Sequence, residues 1–193
     1  MTPKPPKCKN CRKPIIGARS SLATSCSVEC AIVWAKKESA AWDRKQQAMQ
    51  RKALRESRKA TREARERLKT RREWLKEAQA AFNRWVRARD HGKPCISCGR
   101  HHQGAWDAGH YRSVGACSAL RFHPDNCHAQ CVPCNQHKSG NIIEYRLGLL
   151  ARIGQARVEW LEGHHEPVKW TIDDLKAIKA KYTAMARELE KGE

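Results

Sequence analysis

Large apolar side chains are scattered at first along the central stretch of this chain and then become periodic. Trp42, Met49, Leu54 and Leu68 stand isolated among Lys, Arg, Glu and Ala, whereas Trp74, Leu75, Ala78, Ala81, Phe82, Trp85 and Val86 recur at three and four residues. The second pattern is one face of an α-helix docked on a core; the first cannot bury much by itself. Gly17 is followed by no Gly until Gly92, and Pro14 by no Pro until Pro94, so nothing local interrupts a helix between about Ala31 and Arg89. Ile142, Ile143, Leu147, Leu149, Leu150 and Ile153 form a later apolar stretch. Thr171-Ile-Asp-Asp174 opens a further helix with a threonine cap and an acidic first turn.

Charge changes this picture. The 193 residues carry 39 Lys plus Arg against 20 Asp plus Glu, a formal charge of +19 that points to a polyanionic partner. Residues 36–72 alone hold 15 basic and 5 acidic side chains, a surplus of 10. A balanced, solvated helix face would pair its charges. No stretch approaches the roughly 18 apolar residues of a membrane span, and MTPKPPKCKNCRK has no hydrophobic run to serve as a secretory signal, so a cytoplasmic location is expected. Three blocks emerge: a Cys-rich N-terminus over 1–34, a basic helical arm over 35–72, and a Cys/His-rich unit with a helical tail over 73–193.

Ten Cys in a reducing compartment are poor disulfide candidates, and eight of them fall into four close pairs. Cys8-x2-Cys11 and Cys26-x3-Cys30 supply four thiolates in two clips, a set that suits tetrahedral Zn²⁺. Ser27 and Glu29 place the second clip at a helix start, an arrangement that resembles a treble-clef finger. Cys95-x2-Cys98 and Cys131-x2-Cys134 form the second quartet. A closed four-thiolate site keeps no open coordination position, so this zinc is expected to hold the fold and not to activate water. Cys127 with His128 is the alternative source of a ligand.

The residues enclosed by the second quartet read Trp106-Asp-Ala-Gly-His-Tyr111, Asp125-Asn126 and Cys131-Val-Pro-Cys-Asn-Gln-His-Lys-Ser-Gly-Asn141. A His closing the first strand, an Asn five residues before a Cys-x2-Cys clip, and Asn directly after the clip with Lys three further on resemble the HNH, or ββα-metal, nucleases. The resemblance implies His110 as general base, Asn126 orienting its ring, Asn135 as a ligand of Mg²⁺ or Mn²⁺, and Lys138 on phosphate, with Arg112 and His137 as further DNA contacts. Such chemistry needs a base for the attacking water and a divalent cation for charge on the scissile phosphate. HNH enzymes usually carry an acidic ligand immediately before the His; here that position is Gly109, and the nearest carboxylate is Asp107. In an extended strand, residues 107 and 109 share a face while 110 points away. Asp107 therefore joins His110 only through a bend or bulge at Gly109; the alternatives are His137 or a position left to water.

Taken whole, the chain resembles the NinG family of lambdoid phages, also called Rap. The likeness rests on both quartets, the basic arm, Leu120-Arg-Phe122, Arg152-Ile-Gly-Gln155 and Trp170-Thr-Ile, and the Asp-Ala-Gly-His order looks like that family's own form. It implies a mainly α protein with small zinc-bound β elements, a structure-specific endonuclease for Holliday junctions and D-loops in the host cytoplasm. Two symmetric nicks at a junction point to a homodimer. Arg58, Lys59, Arg62 and Arg65 are the arm's expected phosphate contacts, read through charge and shape rather than bases. Two competing readings are a non-cleaving zinc protein that binds DNA as a recombination accessory, and a less selective HNH nuclease.

Overall fold

The structure, a computed structural model, describes residues 5–17 and 23–192. The chain divides into two compact units, Met1–Leu68 and Lys69–Glu193.

In the first unit, a knuckle around Cys8 and Cys11 leads into helix α1, Val28–Leu68. Among the described residues of this unit Cys8 and Ile15 are buried, and α1 buries none. Ser27 Oγ accepts the Cys30 N–H at 3.2 Å, which caps the helix on the second clip. Finger and arm are thus one continuous element. The helical stretch ends at Leu68, and a second helix, α2 (Arg71–Arg89), starts after Thr70. Thr70 and Glu73 form a capping box, each side chain satisfying the other's backbone N–H. The expected uninterrupted helix to Arg89 is therefore two helices, and the break is made by a cap rather than by Gly or Pro.

The second unit is built on α2 and a two-stranded antiparallel ribbon, β1 (Trp106–His110) and β2 (Cys127–Cys131). After β2 come a π-helical turn, Pro133–His137, and helices α3 (Ile142–Ile153), α4 (Gln155–Glu162) and α5 (Ile172–Leu189). Two 3-10 turns, Ser118–Phe122 and Pro124–Asn126, join the strands. Trp74, Ala78, Phe82, Trp85 and Val86 of α2 pack against Leu175, Tyr182 and Ala186 of α5, with Phe122 and Cys127 closing the cluster. Truncating a buried aromatic such as Phe82 to Ala costs about 3–5 kcal/mol in cores of this kind. A second cluster joins Ile96, Leu120, Tyr145, Leu149, Val158 and Leu161, with Leu150 and Ile153 packed against it, so part of the apolar stretch read over 142–153 is scaffold, whereas its Ile142, Ile143 and Leu147 are exposed. Gly148 permits the close approach: a Cβ there would lie 1.9 Å from the Ile96 carbonyl oxygen.

Two buried polar devices fix the ribbon. The Tyr145 hydroxyl donates to the Gly109 carbonyl at 2.8 Å and accepts the His128 N–H at 3.0 Å, tying both strands to α3 at one rung. Asp90, at the end of α2, accepts the Ala129 N–H at 3.0 Å and pairs with Arg89 and Lys93. Burial alone would raise its carboxyl; hydrogen bonds from His128 and Arg89 instead hold it well below the usual carboxylate range. Among the described residues, no helix is long and apolar enough to cross a membrane.

Candidate functional site

The four sulfurs of Cys8, Cys11, Cys26 and Cys30 lie within 4.8 Å of one another, as do those of Cys95, Cys98, Cys131 and Cys134. Zn–S bonds of about 2.3 Å in a tetrahedron set S–S edges near 3.8 Å. The 3.5 Å between Cys11 and Cys26 and the 4.0 Å between Cys98 and Cys131 fit that scale. Both groups could hold structural zinc. Within the first group the Cys11 backbone amide lowers the Cys8 thiol to about 6, while the neighbouring thiols push Cys26 up to about 12, the mark of four sulfurs crowded at one point. Cys127 and His128 enter neither group: Cys127 lies beside His110, and His128 faces Asp90 at 3.4 Å. His102 is an unforeseen neighbour, its Nε2 3.2 Å from Cys98 Sγ.

The ribbon sorts the other candidates onto two faces. The register runs unbroken from Trp106 opposite Cys131 to His110 opposite Cys127, with no bulge at Gly109. Asp107, Gly109 and Gln130 therefore look toward the π-helical turn, where Asp107 Oδ2 accepts Asn135 Nδ2 and Gln136 Nε2, each at 2.8 Å. His110 looks the other way, its ring 6.2 Å from the Phe82 ring. The bend that was to carry Asp107 to His110 is absent because Ala108 packs on the α2 core and holds the strand extended. Asp107 and Asn135 meet; Asp107 and His110 do not. His110 and Asn135 nevertheless line one open groove of about 560 Å³, with Arg112, Ser139 and Gly140.

His110 Nε2 lies 2.9 Å from the Arg121 carbonyl oxygen. A carbonyl only accepts, so Nε2 carries the hydrogen and Nδ1 keeps the lone pair. Nδ1 stands 3.8 Å from Cys127 Sγ. Burial pushes the ring below its ordinary value, outweighing the Arg121 carbonyl, which acts in the opposite direction. Burial thus favours the neutral imidazole, the form a general base needs.

Asn126 does not touch the ring. Fully buried, it accepts the Arg112 N–H at 2.8 Å and donates to the carbonyls of Arg112 and Leu120 at 3.0 and 3.1 Å. It holds the backbone after His110 and the residue before Arg121, so the expected contact with the imidazole is replaced by control of the loop that presents its acceptor.

The family model described as Bacteriophage Lambda NinG protein matches residues 1–193. The chain belongs to the NinG family. It is 51% identical over 114 residues to Protein ninG of Escherichia phage lambda, a match covering 59% of this chain and 56% of that protein. Protein ninG of Salmonella phage P22 is 50% identical over 114 residues, with the same shares covered. The chain thus spans little more than half the length of these curated NinG relatives. No solved structure matches the chain.

In this NinG chain the expected phosphate contacts have different settings. His137 and Lys138 are exposed at the end of the π-helical turn. Arg112 donates from Nη1 to the carbonyls of Leu161 and Gly163, at 2.9 and 2.8 Å, which fastens the end of β1 to the end of α4, and it also lines the groove beside His110. Arg58, Arg62 and Arg65 line one shallow groove of α1, and Lys59 sits 3.9 Å from Glu63. Gln130, Tyr145 and Asp90 escaped the sequence reading. Alternation along Cys127-His-Ala-Gln-Cys131 puts Gln130 on the face of Asp107 once the register is known, but the register is set by non-local pairing.

Proposed function

We propose that this NinG-family protein is a metal-dependent endonuclease that cuts branched recombination intermediates such as Holliday junctions and D-loops. The observation that carries the reading is the Asp107–Asn135 contact at 2.8 Å, which sets a carboxylate beside Asn135, a residue that lines one groove with His110. Oxygen donors of this kind suit Mg²⁺ or Mn²⁺. Such a cation, held by Asp107 and Asn135, would stabilise charge on the scissile phosphate. His110, neutral with its lone pair on Nδ1, takes the proton from the attacking water, and Arg121 fixes the tautomer. Asn126 acts as a positioning residue through the loop, and Lys138 meets phosphate.

Branched substrates follow from charge and shape. The surplus of basic side chains between residues 36 and 72 meets more phosphate where duplex arms converge than along one duplex. Zinc in both quartets has a structural role, and two chains related by a twofold axis would supply the paired nicks.

A second reading has its own support. The His110 lone pair faces the Cys127 thiol and its ring packs toward Phe82, as a structural histidine would, so a zinc protein that binds junctions without cutting remains the competitor. The test is nicking of a four-way junction and of linear duplex by zinc-loaded protein in Mg²⁺, in Mn²⁺ and in EDTA. Metal-dependent nicking confined to the junction supports the proposal. Tight junction binding without nicking in any metal selects the accessory protein, and equal cutting of both DNAs selects the less selective nuclease.

A further inference from the structure

Gly109 occupies the position at which the HNH pattern would place an acidic ligand, and the structure gives a spatial reason for the glycine. Its φ is not positive, so backbone freedom does not demand it. A Cβ there would fall 2.1 Å from Gln130 Oε1 and 3.1 Å from Asn135 Oδ1. The room that a side chain at 109 would use is filled from the neighbouring strand by a carboxamide oxygen.

The orientation of that amide is determined. Gln130 is fully buried, and its Nε2 lies 2.6 Å from the Gly140 carbonyl oxygen and 2.7 Å from Ser97 Oγ. The carbonyl can only accept, so nitrogen must face Gly140 and Oε1 must face Gly109. Oε1 has no hydrogen-bond partner among the described residues, and a buried acceptor left unpaired is destabilising. Asn135 donates its Nδ2 to Asp107, which turns its own Oδ1 toward the same point. Gln130 Oε1 from β2 and Asn135 Oδ1 from the π-helical turn thus both border the space beside Gly109, and the amide of Asn135 is hydrogen-bonded to the Asp107 carboxylate of β1, the one negative charge of the three side chains.

The geometry points to Gln130 as a third oxygen ligand of the divalent cation, delivered from β2 in place of the carboxylate missing at Gly109. This rests on the reading of Asp107 and Asn135 as cation ligands. Such a set favours a hard cation, binds it weakly, and leaves positions for phosphate and water.

The test titrates Mn²⁺ alone into the zinc-loaded full chain and follows the free ion by its EPR signal, with circular dichroism and zinc content as controls. Gln130→Met keeps length and removes the oxygen; Mn²⁺ affinity should fall about tenfold or more while zinc content holds. The paired change Gly109→Asp with Gln130→Ala, which returns an oxygen to the same space from β1, should restore binding, and it decides the matter if Gln130→Met fails to fold. Wild-type affinity in a folded Gln130→Met, or no recovery in the pair, overturns the role of Gln130. Asn135→Ala separates the two readings: its loss of Mn²⁺ beside an unaffected Gln130→Met leaves the cation site standing without Gln130. Absence of any stoichiometric Mn²⁺ site in wild type overturns both.

Discussion

Asp107 Oδ2 accepts the Asn135 side-chain N–H at an N···O distance of 2.8 Å, between residues 28 positions apart in the chain. The contact forms because the second Cys clip folds the π-helical turn back over β1, on the face away from the α2 core. If these two side chains hold the cation, Asp107→Ala should lower single-turnover nicking of a junction by 10²-fold or more, on the order of the electrostatic contribution of one such group, while junction binding changes less than threefold. Loss of binding in parallel with nicking would assign Asp107 to DNA contact or to folding instead.

Asn126 offers a test of positioning. Its side chain serves three backbone groups with no exposure to solvent. Asn126→Ala should destabilise the protein by roughly 2–4 kcal/mol in denaturant melts, since three groups lose their partner in a buried place. Because the same loop presents the Arg121 carbonyl to His110, the variant should also shift the pH dependence of nicking. A stable variant with an unaltered pH profile would remove Asn126 from the site.

The direction of the His110 shift sets that profile. Burial favours the neutral ring in the folded state, whereas the unfolded chain protonates near 6.5. Below about pH 6.5 the unfolded state binds more protons, so stability contributed by the buried neutral ring falls on acidification. Nicking by a neutral base should likewise rise from acid pH and level off at or below about pH 6.5. A rate still climbing tenfold per pH unit between 7 and 8.5 would show that another group limits the reaction.

Much of this architecture was legible in local patterns. The spacing of the eight paired Cys anticipated both four-sulfur groups, and the three-four recurrence from Trp74 to Val86 anticipated the docked face of α2. The break at Lys69–Thr70 was also written in the sequence, as Thr70-x-x-Glu73, but in capping chemistry rather than in Gly or Pro. The site was read less completely. Residue types and intervals singled out Asp107, Asn135 and His110 as candidates, yet the strand faces of Asp107 and His110 depend on a register tied by Tyr145 and Asp90, residues outside both strands. Asn126 reaches backbone carbonyls, and no side-chain motif encodes such partners. Gln130 became visible only through the space beside Gly109.

The exposed cations of α1 lead to a salt prediction. Replacing Arg58, Lys59, Arg62 and Arg65 by Gln removes four charges from a helix that buries nothing, so folding should be unaffected. If all four meet phosphate, the dependence of log binding constant on log salt should flatten by about 3.6 units, on junction and linear DNA alike, without altering the pH profile of nicking. An unchanged slope would place the DNA path on other residues.

The most direct measurement is single-turnover nicking of a four-way junction by wild type and His110→Ala in Mg²⁺ or Mn²⁺, with junction affinity and zinc content determined on the same preparations. The account predicts that the variant binds within about threefold of wild type and loses at least about 10²-fold in rate. Normal cleavage by a folded His110→Ala protein, or no cleavage by wild type, would contradict it.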